Sequence, residues 1–316
     1  MHGDTTSLVP ALPLVVIAGP TGVGKTALAV TVAAGMNGEI VNADSRQIYR
    51  YMDIGTAKPS TEERAAVPHH LIDVVDPDQV LTMADYQRRA YVAINALHQQ
   101  GKLPFLVGGT GQYITAVLEG WSAPEVPPIP PLRAELESYA AEHGALALFE
   151  RLRALDPVAA ERMDPLNARR TVRALEVCLA TGEPFSAQRR KNPPPYRVLQ
   201  LGLTMAREAL YERLDARIEA MMERGFLDEV RDLHRRGYGS ELPAMHGIGY
   251  AQLTAFLRGE ITLADAVQTT KHLTHSFVRR QYTWFRKYTQ LQWMEQPAPD
   301  VVHEMIMGWL MAEEPR

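Results

Sequence analysis

The chain has one cysteine in 316 residues, Cys178. That excludes an internal disulfide and any cysteine-rich zinc site. Cys178 sits in the apolar-periodic run Val172–Ala180, where it is expected to be a small buried hydrophobe. No apolar run is long enough to span a bilayer. The first such run is broken by Pro10 and Pro13 and has no basic leader, so no membrane association and a reducing, cytoplasmic setting are expected. Neither sign of charge dominates: 33 Lys and Arg against 37 Asp and Glu leave a net charge of −4. A globally basic nucleic-acid binder is thereby excluded, and any basic surface must be local. Internal repeats and low-complexity segments are also missing. What remains, 46% apolar and 22% charged, is ordinary for a globular protein with one large or two smaller domains.

Against that background one run stands out: Gly19, Pro20, Thr21, Gly22, Val23, Gly24, Lys25 and Thr26. It fits the phosphate-binding pattern G-x-x-x-x-G-K-[ST]. The apolar run Leu12–Ala18 precedes it and reads as a buried strand; a helix-compatible stretch, Thr26–Ala34, follows. That strand–loop–helix context is what gives the pattern meaning. Successive backbone N–H groups and a helix N-terminus make a concave anion site. Lys25 adds a point charge for terminal phosphates, and the Thr26 hydroxyl suits Mg²⁺. The motif indicates a polyphosphate without saying which one.

Strand and helix signals alternate over the first ~120 residues, as in a parallel α/β sheet. Glu39–Asn42 reads as a strand, Ala84–Gln100 as a helix ending at Gly101, and Leu103–Val107 as a buried strand running into Gly108-Gly109-Thr110-Gly111. The texture changes at Ala123–Pro131, which is rich in proline. Helical patterns then cover Pro131–His143, Ala145–Leu155 and Asn167–Thr181, until Pro193-Pro194-Pro195 closes the segment. Strand character returns at Val198–Leu203. The expected fold is therefore α/β: a P-loop NTPase-like parallel sheet core, residues 1–122 and 196–316, with a mainly helical insertion domain at 123–195. Beyond it, Arg207–Arg236 reads as a long charged helical region broken at Gly225, and Asp265–Tyr288 as a further helix.

Several constellations carry chemistry. Asp44 lies just past a strand end, where parallel sheets present ligand-facing residues; it is a candidate general base or Mg²⁺ partner, or else a helix cap. Gly108–Gly111 lets backbone approach a ligand, and Thr110 can donate a hydroxyl; the plainer reading is a tight strand-to-helix turn. Arg213 and Arg217 share a helix face and suit a diphosphate, although the sequence alone favours a solvated face paired with Glu208, Glu212, Asp215 and Glu219. From Ala266 to Met294 there is no acidic residue, while Lys271, Arg279, Arg280, Arg286 and Lys287 interleave with Phe277, Tyr282, Trp284, Phe285 and Tyr288. That fits phosphate backbone and unstacked bases, and also a helix with an aromatic core side and a wet basic side. Arg169, Arg170 and Arg173, with Arg189-Arg190-Lys191, are smaller basic clusters. The histidines show no metal-ligand spacing.

Together these residues resemble bacterial tRNA dimethylallyltransferases over nearly the whole chain. The matching pieces are the P-loop, Asp44–Tyr49, Met52–Pro59, Val107–Tyr113, Arg173–Val177, Gly247–Tyr250 and Arg279–Arg286, in that order. The resemblance implies transfer of a dimethylallyl group from dimethylallyl diphosphate to N6 of the adenosine beside a tRNA anticodon, with Mg²⁺ as cofactor. It makes Asp44 the base for the N6 proton, and gives the diphosphate to residues 19–26 with Lys25, Thr26 (also the metal ligand) and Arg217. Thr110 would hydrogen-bond near the reacting centre. The tRNA anticodon stem-loop would meet Asp44, Ser45, Arg46 and Gln47; Arg169, Arg170, Thr171, Val172 and Arg173; His246, Gly247, Ile248, Gly249, Tyr250 and Ala251; and Arg279, Arg280, Gln281, Trp284 and Arg286.

Arg46 and Gln112 depart from the family pattern, where many relatives have an apolar residue, and His246 holds a variable position. The lone cysteine leaves no zinc finger, which points to the bacterial form. Two alternatives stay open at this stage: prenyl transfer to a free adenine nucleotide, and a P-loop kinase or nucleotide-switched RNA-binding module. A monomer is expected, since one chain's basic faces suffice for one tRNA.

Overall fold

Leu14–Ala18 is buried along its whole length, as the middle strand of a parallel sheet covered on both faces must be. The structure, a computed structural model, describes residues 12–122, 126–188 and 190–312. The chain divides into two compact units, Met1–Val117 with Pro195–Arg316, and Leu118–Pro194.

In chain order the strands are β1 (Leu12–Ala18), β2 (Gly38–Asn42), β3 (His69–His70), β4 (Leu103–Gly108), β5 (Trp121–Ser122), β6 (Arg190–Lys191), β7 (Tyr196–Thr204) and β8 (Gln292–Glu295). The helices are α1 (Lys25–Ala34), α2 (Thr61–Ala66), α3 (Met83–Gln99), α4 (Gly111–Glu119), α5 (Pro130–His143), α6 (Ala145–Leu155), α7 (Pro157–Ala160), α8 (Ala168–Thr181), α9 (Arg207–Glu223), α10 (Phe226–Arg235), α11 (Tyr250–Leu257), α12 (Leu263–Phe285) and α13 (Pro299–Met311).

The larger unit holds a parallel sheet ordered β3-β2-β4-β1-β7-β8. β1 pairs with β4 on one side (Ile17 beside Val107) and with β7 on the other (Ile17 beside Leu201). This is the P-loop-type parallel core expected from the alternating pattern. The C-terminal ends of β1, β2 and β4 release Gly19, Asp44 and Gly109 at one edge of the sheet, so the three loops with chemical promise share one rim. One apolar core joins the sheet to α1, α9, α12 and α13 through Val15, Leu28, Phe105, Leu214, Val278 and Ile306. A second packs the Ile48–Met52 segment against Met221, Phe226, Val230 and Leu253 from α9, α10 and α11. Gly225, at φ 95, breaks α9 from α10.

The smaller unit has its own core, with Leu136, Leu148, Leu152, Val172, Leu175 and Cys178. Cys178 is buried. The fully buried Glu176 carboxylate accepts from Ile129 N at 2.8 Å, Arg133 at 2.7 Å and Arg173 at 2.6 Å. The unit begins at Leu118, ahead of the proline-rich stretch, because β5 pairs antiparallel with β6 inside it. Ala123, Pro124 and Glu125 of that stretch, and Arg189 of the basic cluster, lie outside the described residues.

Candidate active site

The P-loop turns at Gly22 and Gly24, with φ of 87° and 98°. Lys25 opens α1 and folds back to donate to the Pro20 carbonyl at 2.7 Å. Burial pulls its ammonium down to about 8; the Asp44 carboxylate acts against that fall, and Arg217 adds to it. Arg217 comes from α9 and donates to Thr21 Oγ1 at 3.0 Å. Burial lowers its pKa too, opposed by Asp44 and reinforced by Arg213. Its Nε is buried and, among the described residues, has no hydrogen-bond partner. A cationic fork with an unused donor, beside a lysine that carries its proton reluctantly, is a site short of an anion.

Two cavities open on this rim. The first, about 240 Å³, is lined by Gly22, Lys25, Thr26, Asn42, Arg213 and other residues of the P-loop side. The second, about 370 Å³, has an apolar wall of Ile218, Met221, Phe226, Tyr250 and Phe277. Thr21, Asp44, Thr56 and Arg217 line both. A polar, cation-rich chamber thus adjoins an apolar one at a carboxylate.

The carboxylate is held by its neighbours. Asp44 Oδ1 accepts from Arg46 N at 2.8 Å, a short turn closed by its own side chain. Ser45 N donates to Thr110 Oγ1 at 2.9 Å, and Thr110 N donates to the Ala43 carbonyl at 3.0 Å. Thr110 therefore bolts the Asp44 loop to the second glycine-rich loop. Arg46 reaches the carbonyls of Pro243 and Ala244.

Residues 47–288 match the family model described as IPP transferase. The chain belongs to that family. It is 54% identical over 291 residues to a tRNA dimethylallyltransferase of Roseiflexus castenholzii, covering 92% of this chain and 95% of that one. A solved tRNA isopentenylpyrophosphate transferase of Bacillus halodurans is similar at 39% identity with a TM-score of 0.71, covering 94% of this chain and 96% of the other. A eukaryotic dimethylallyltransferase caught acting on tRNA superposes at TM-score 0.79 and 26% identity, covering 96% of this chain and 78% of the other.

In this IPP transferase the P-loop residues, Asp44, Thr110 and Arg217 converge on the rim. Arg217 turns inward, so the solvated-face reading of its helix spacing does not hold for it. His246, Gly247, Ile248 and Arg280 line the apolar cavity. Arg279 and Arg280 are exposed on α12, Arg286 just beyond its C-terminus, and Arg169 and Arg170 on α8.

Other residues assigned to RNA have side chains held within the protein. Gln281 is 5% exposed and hydrogen-bonded within the protein at both ends of its amide. Val172 lies in the core of the helical unit, and buried Thr171 donates to the Asn167 carbonyl. Arg173 is committed to Glu176 and the Val126 carbonyl. The Gln47 side chain donates to the Thr56 and Ala57 carbonyls, and buried Tyr250 donates to Glu229 at 2.7 Å. A motif read as a continuous run includes inward-facing positions of a helix or turn, here Thr171, Val172, Tyr250 and Gln281, while Gln47 and Arg173 are half-buried and held by hydrogen bonds.

Three residues escaped the sequence reading. Glu229 accepts from the consecutive N–H groups of Asp53, Ile54 and Gly55 at 2.8, 2.6 and 3.1 Å, and so shapes the backbone beside Thr56. Lys58, with its side chain 2% exposed, donates to the Tyr49 carbonyl, Asp53 and Asp73. Thr56 lines both cavities. Thr56 and Lys58 lie inside the Met52–Pro59 motif, which marks them; nothing local distinguishes Glu229 on a highly charged helix.

Proposed function

We propose that this IPP transferase moves a dimethylallyl group from dimethylallyl diphosphate to N6 of the adenosine beside the anticodon in tRNA, releasing diphosphate. The observation that carries the reading is the junction of the two cavities at Asp44. The cationic chamber of Lys25, Arg213 and Arg217 suits the diphosphate. The apolar chamber suits a flat base drawn out of an RNA loop together with the small hydrocarbon.

The adenine N6 lone pair is delocalised into the ring, so N6 attacks poorly until its proton has somewhere to go. As the new C–N bond forms, the C–O bond of the donor breaks, its electron pair stays on the diphosphate oxygen, and the N6 proton passes to Asp44. Lys25, Arg217 and the P-loop amides stabilise the charge growing on the leaving group. Among the described residues no cluster of three His, Cys, Asp or Glu could cage a metal. Thr26 and Asp44 nevertheless offer oxygen donors to the same chamber, which fits Mg²⁺ shared with substrate phosphates rather than held by protein alone. When bound, it would neutralise diphosphate charge.

The deciding assay combines protein, Mg²⁺ and dimethylallyl diphosphate with unmodified tRNA in one arm and AMP in another. The dimethylallyl mass on an adenosine from digested tRNA, and none on AMP, is expected. Product on AMP alone would move the activity to free nucleotides; γ-phosphate transfer from ATP with no prenylated product would make the protein a kinase.

The reading also sets a pH dependence. Free Lys25 loses its proton near pH 8, and a bound anion favours the ammonium, so its pKa in the complex is higher. Between the two values, binding takes up a proton. The Lys25 contribution to diphosphate affinity therefore falls as pH rises above about 8, by up to ~10-fold per pH unit. Titration of wild type against Lys25→Arg, whose charge is permanent, isolates that component; identical pH profiles would remove it.

A further inference from the structure

Helix α12 presents two faces to two tasks. Arg279 and Arg280 are exposed on one side. Between them and Trp284, Gln281 points inward. A buried amide costs free energy unless both its ends are satisfied, and methionine or leucine would fill the same space without that demand. Here both ends are satisfied, and by two separate loops. Gln281 Oε1 accepts from Thr21 N at 2.9 Å, and its Nε2 donates to the Gly109 carbonyl at 2.8 Å. The amide orientation follows from its partners, because one is an N–H and the other a carbonyl.

Those two loops divide the chemistry. Thr21 is in the middle of the P-loop and accepts the Arg217 fork. Gly109 precedes Thr110, which bolts the Asp44 loop. Two glycines of the second loop make room for α12: a Cβ at Gly109 would come within 2.5 Å of Gln281 Nε2, and one at Gly111 would overlap the Trp284 indole.

We propose that Gln281 is a positioning residue: its amide spans the P-loop and the Gly108–Gly111 loop and sets the distance between the leaving-group side and the Asp44 side of the site. The inference rests on the transferase reading above. It needs no contact between Gln281 and either substrate. A misplacement of about 1 Å between reacting groups costs ~100-fold in rate, so a strut between their two supports matters to turnover and to the seating of the diphosphate more than to recognition of the RNA.

The test uses Gln281→Glu and Gln281→Met. Glutamate keeps the length and the acceptor for Thr21 N but sets a carboxylate oxygen against the Gly109 carbonyl. Methionine keeps the volume and helix propensity and loses both bonds; it covers the case in which a buried carboxylate unfolds the chain. Binding of inorganic diphosphate with Mg²⁺, binding of an anticodon stem-loop, and kcat are measured for each full-length protein. The expected result is a fall in kcat of about 10–100-fold and clearly weaker diphosphate binding, with stem-loop affinity unchanged within about twofold. Unchanged kcat and diphosphate affinity in the folded variants would discard the strut. Loss of stem-loop affinity matching the loss of kcat would overturn it in favour of an RNA contact. A wild-type protein that binds no diphosphate would remove the transferase reading and the strut's role together.

Discussion

Asp44→Asn is expected to bind tRNA as the wild type does and to form prenylated adenosine roughly 10²–10⁴-fold more slowly. The substitution is close to a pure removal of basicity. Asparagine Oδ1 can still accept the Arg46 N–H that closes the loop, and the Thr110 bonds to Ser45 N and the Ala43 carbonyl do not involve the side chain. The exposed arginines of α12 and α8 are untouched. The leaving-group side feels two opposed effects: a negative charge leaves the proposed diphosphate chamber, while Lys25 loses a carboxylate that supports its charge and Mg²⁺ loses an oxygen donor, so diphosphate affinity is expected to change far less than turnover. The expected signature is a collapse of single-turnover product formation with stem-loop affinity retained and diphosphate affinity changed far less than turnover. Wild-type turnover would remove Asp44 as the base. Parallel losses of turnover and tRNA binding would make it a loop-shaping residue instead.

The contrast between Asp44 and Gln281 shows how far this site is legible in the sequence. The P-loop, Asp44 and Gly108–Gly111 are local signals: each is a short run at the end of an apolar strand, and a parallel sheet collects such ends on one edge. The parallel α/β core follows from the same alternation. Gln281 does not show itself, because its meaning is the meeting of Thr21 and Gly109, each far away in sequence. Glu229 is hidden for the same reason: its three N–H partners belong to a loop that only the fold brings near. Within α12 the aromatic interleaving served two purposes at once. Phe285 is core and Phe277 lines the apolar cavity, while Arg279 and Arg286 stay outside. Composition alone could not separate those faces; helical period and burial do.

Arg217→Met should lower kcat/KM for dimethylallyl diphosphate by about 10²–10³-fold, the loss typical when one preorganised donor to a developing oxyanion is removed. The guanidinium is anchored to Thr21 Oγ1, carries a buried Nε without a protein partner among the described residues and lines both cavities, so it has donor capacity left for a ligand. Lysine is a poor substitute, since a point charge cannot reproduce the fork; Arg217→Lys is expected to recover only part of the loss. The free protein should respond differently. Arg217 is one of the charges that lower Lys25, and it is itself disfavoured by burial, which the Asp44 carboxylate opposes and Arg213 reinforces. Its removal relieves the burial cost of a charge and the repulsion from Lys25 and Arg213, against the loss of its attraction to Asp44 and its bond to Thr21, so the unliganded protein should melt close to wild type, and Lys25 should titrate above about 8. The rise in melting temperature that diphosphate gives the wild type should shrink or vanish. A residue whose loss spares the empty protein and cripples the loaded one belongs to ligand binding. If Arg217→Met instead lowered the melting temperature without changing diphosphate affinity, the guanidinium would be a structural tie between α9 and the P-loop, and the leaving group would rest on Lys25 and Arg213 alone.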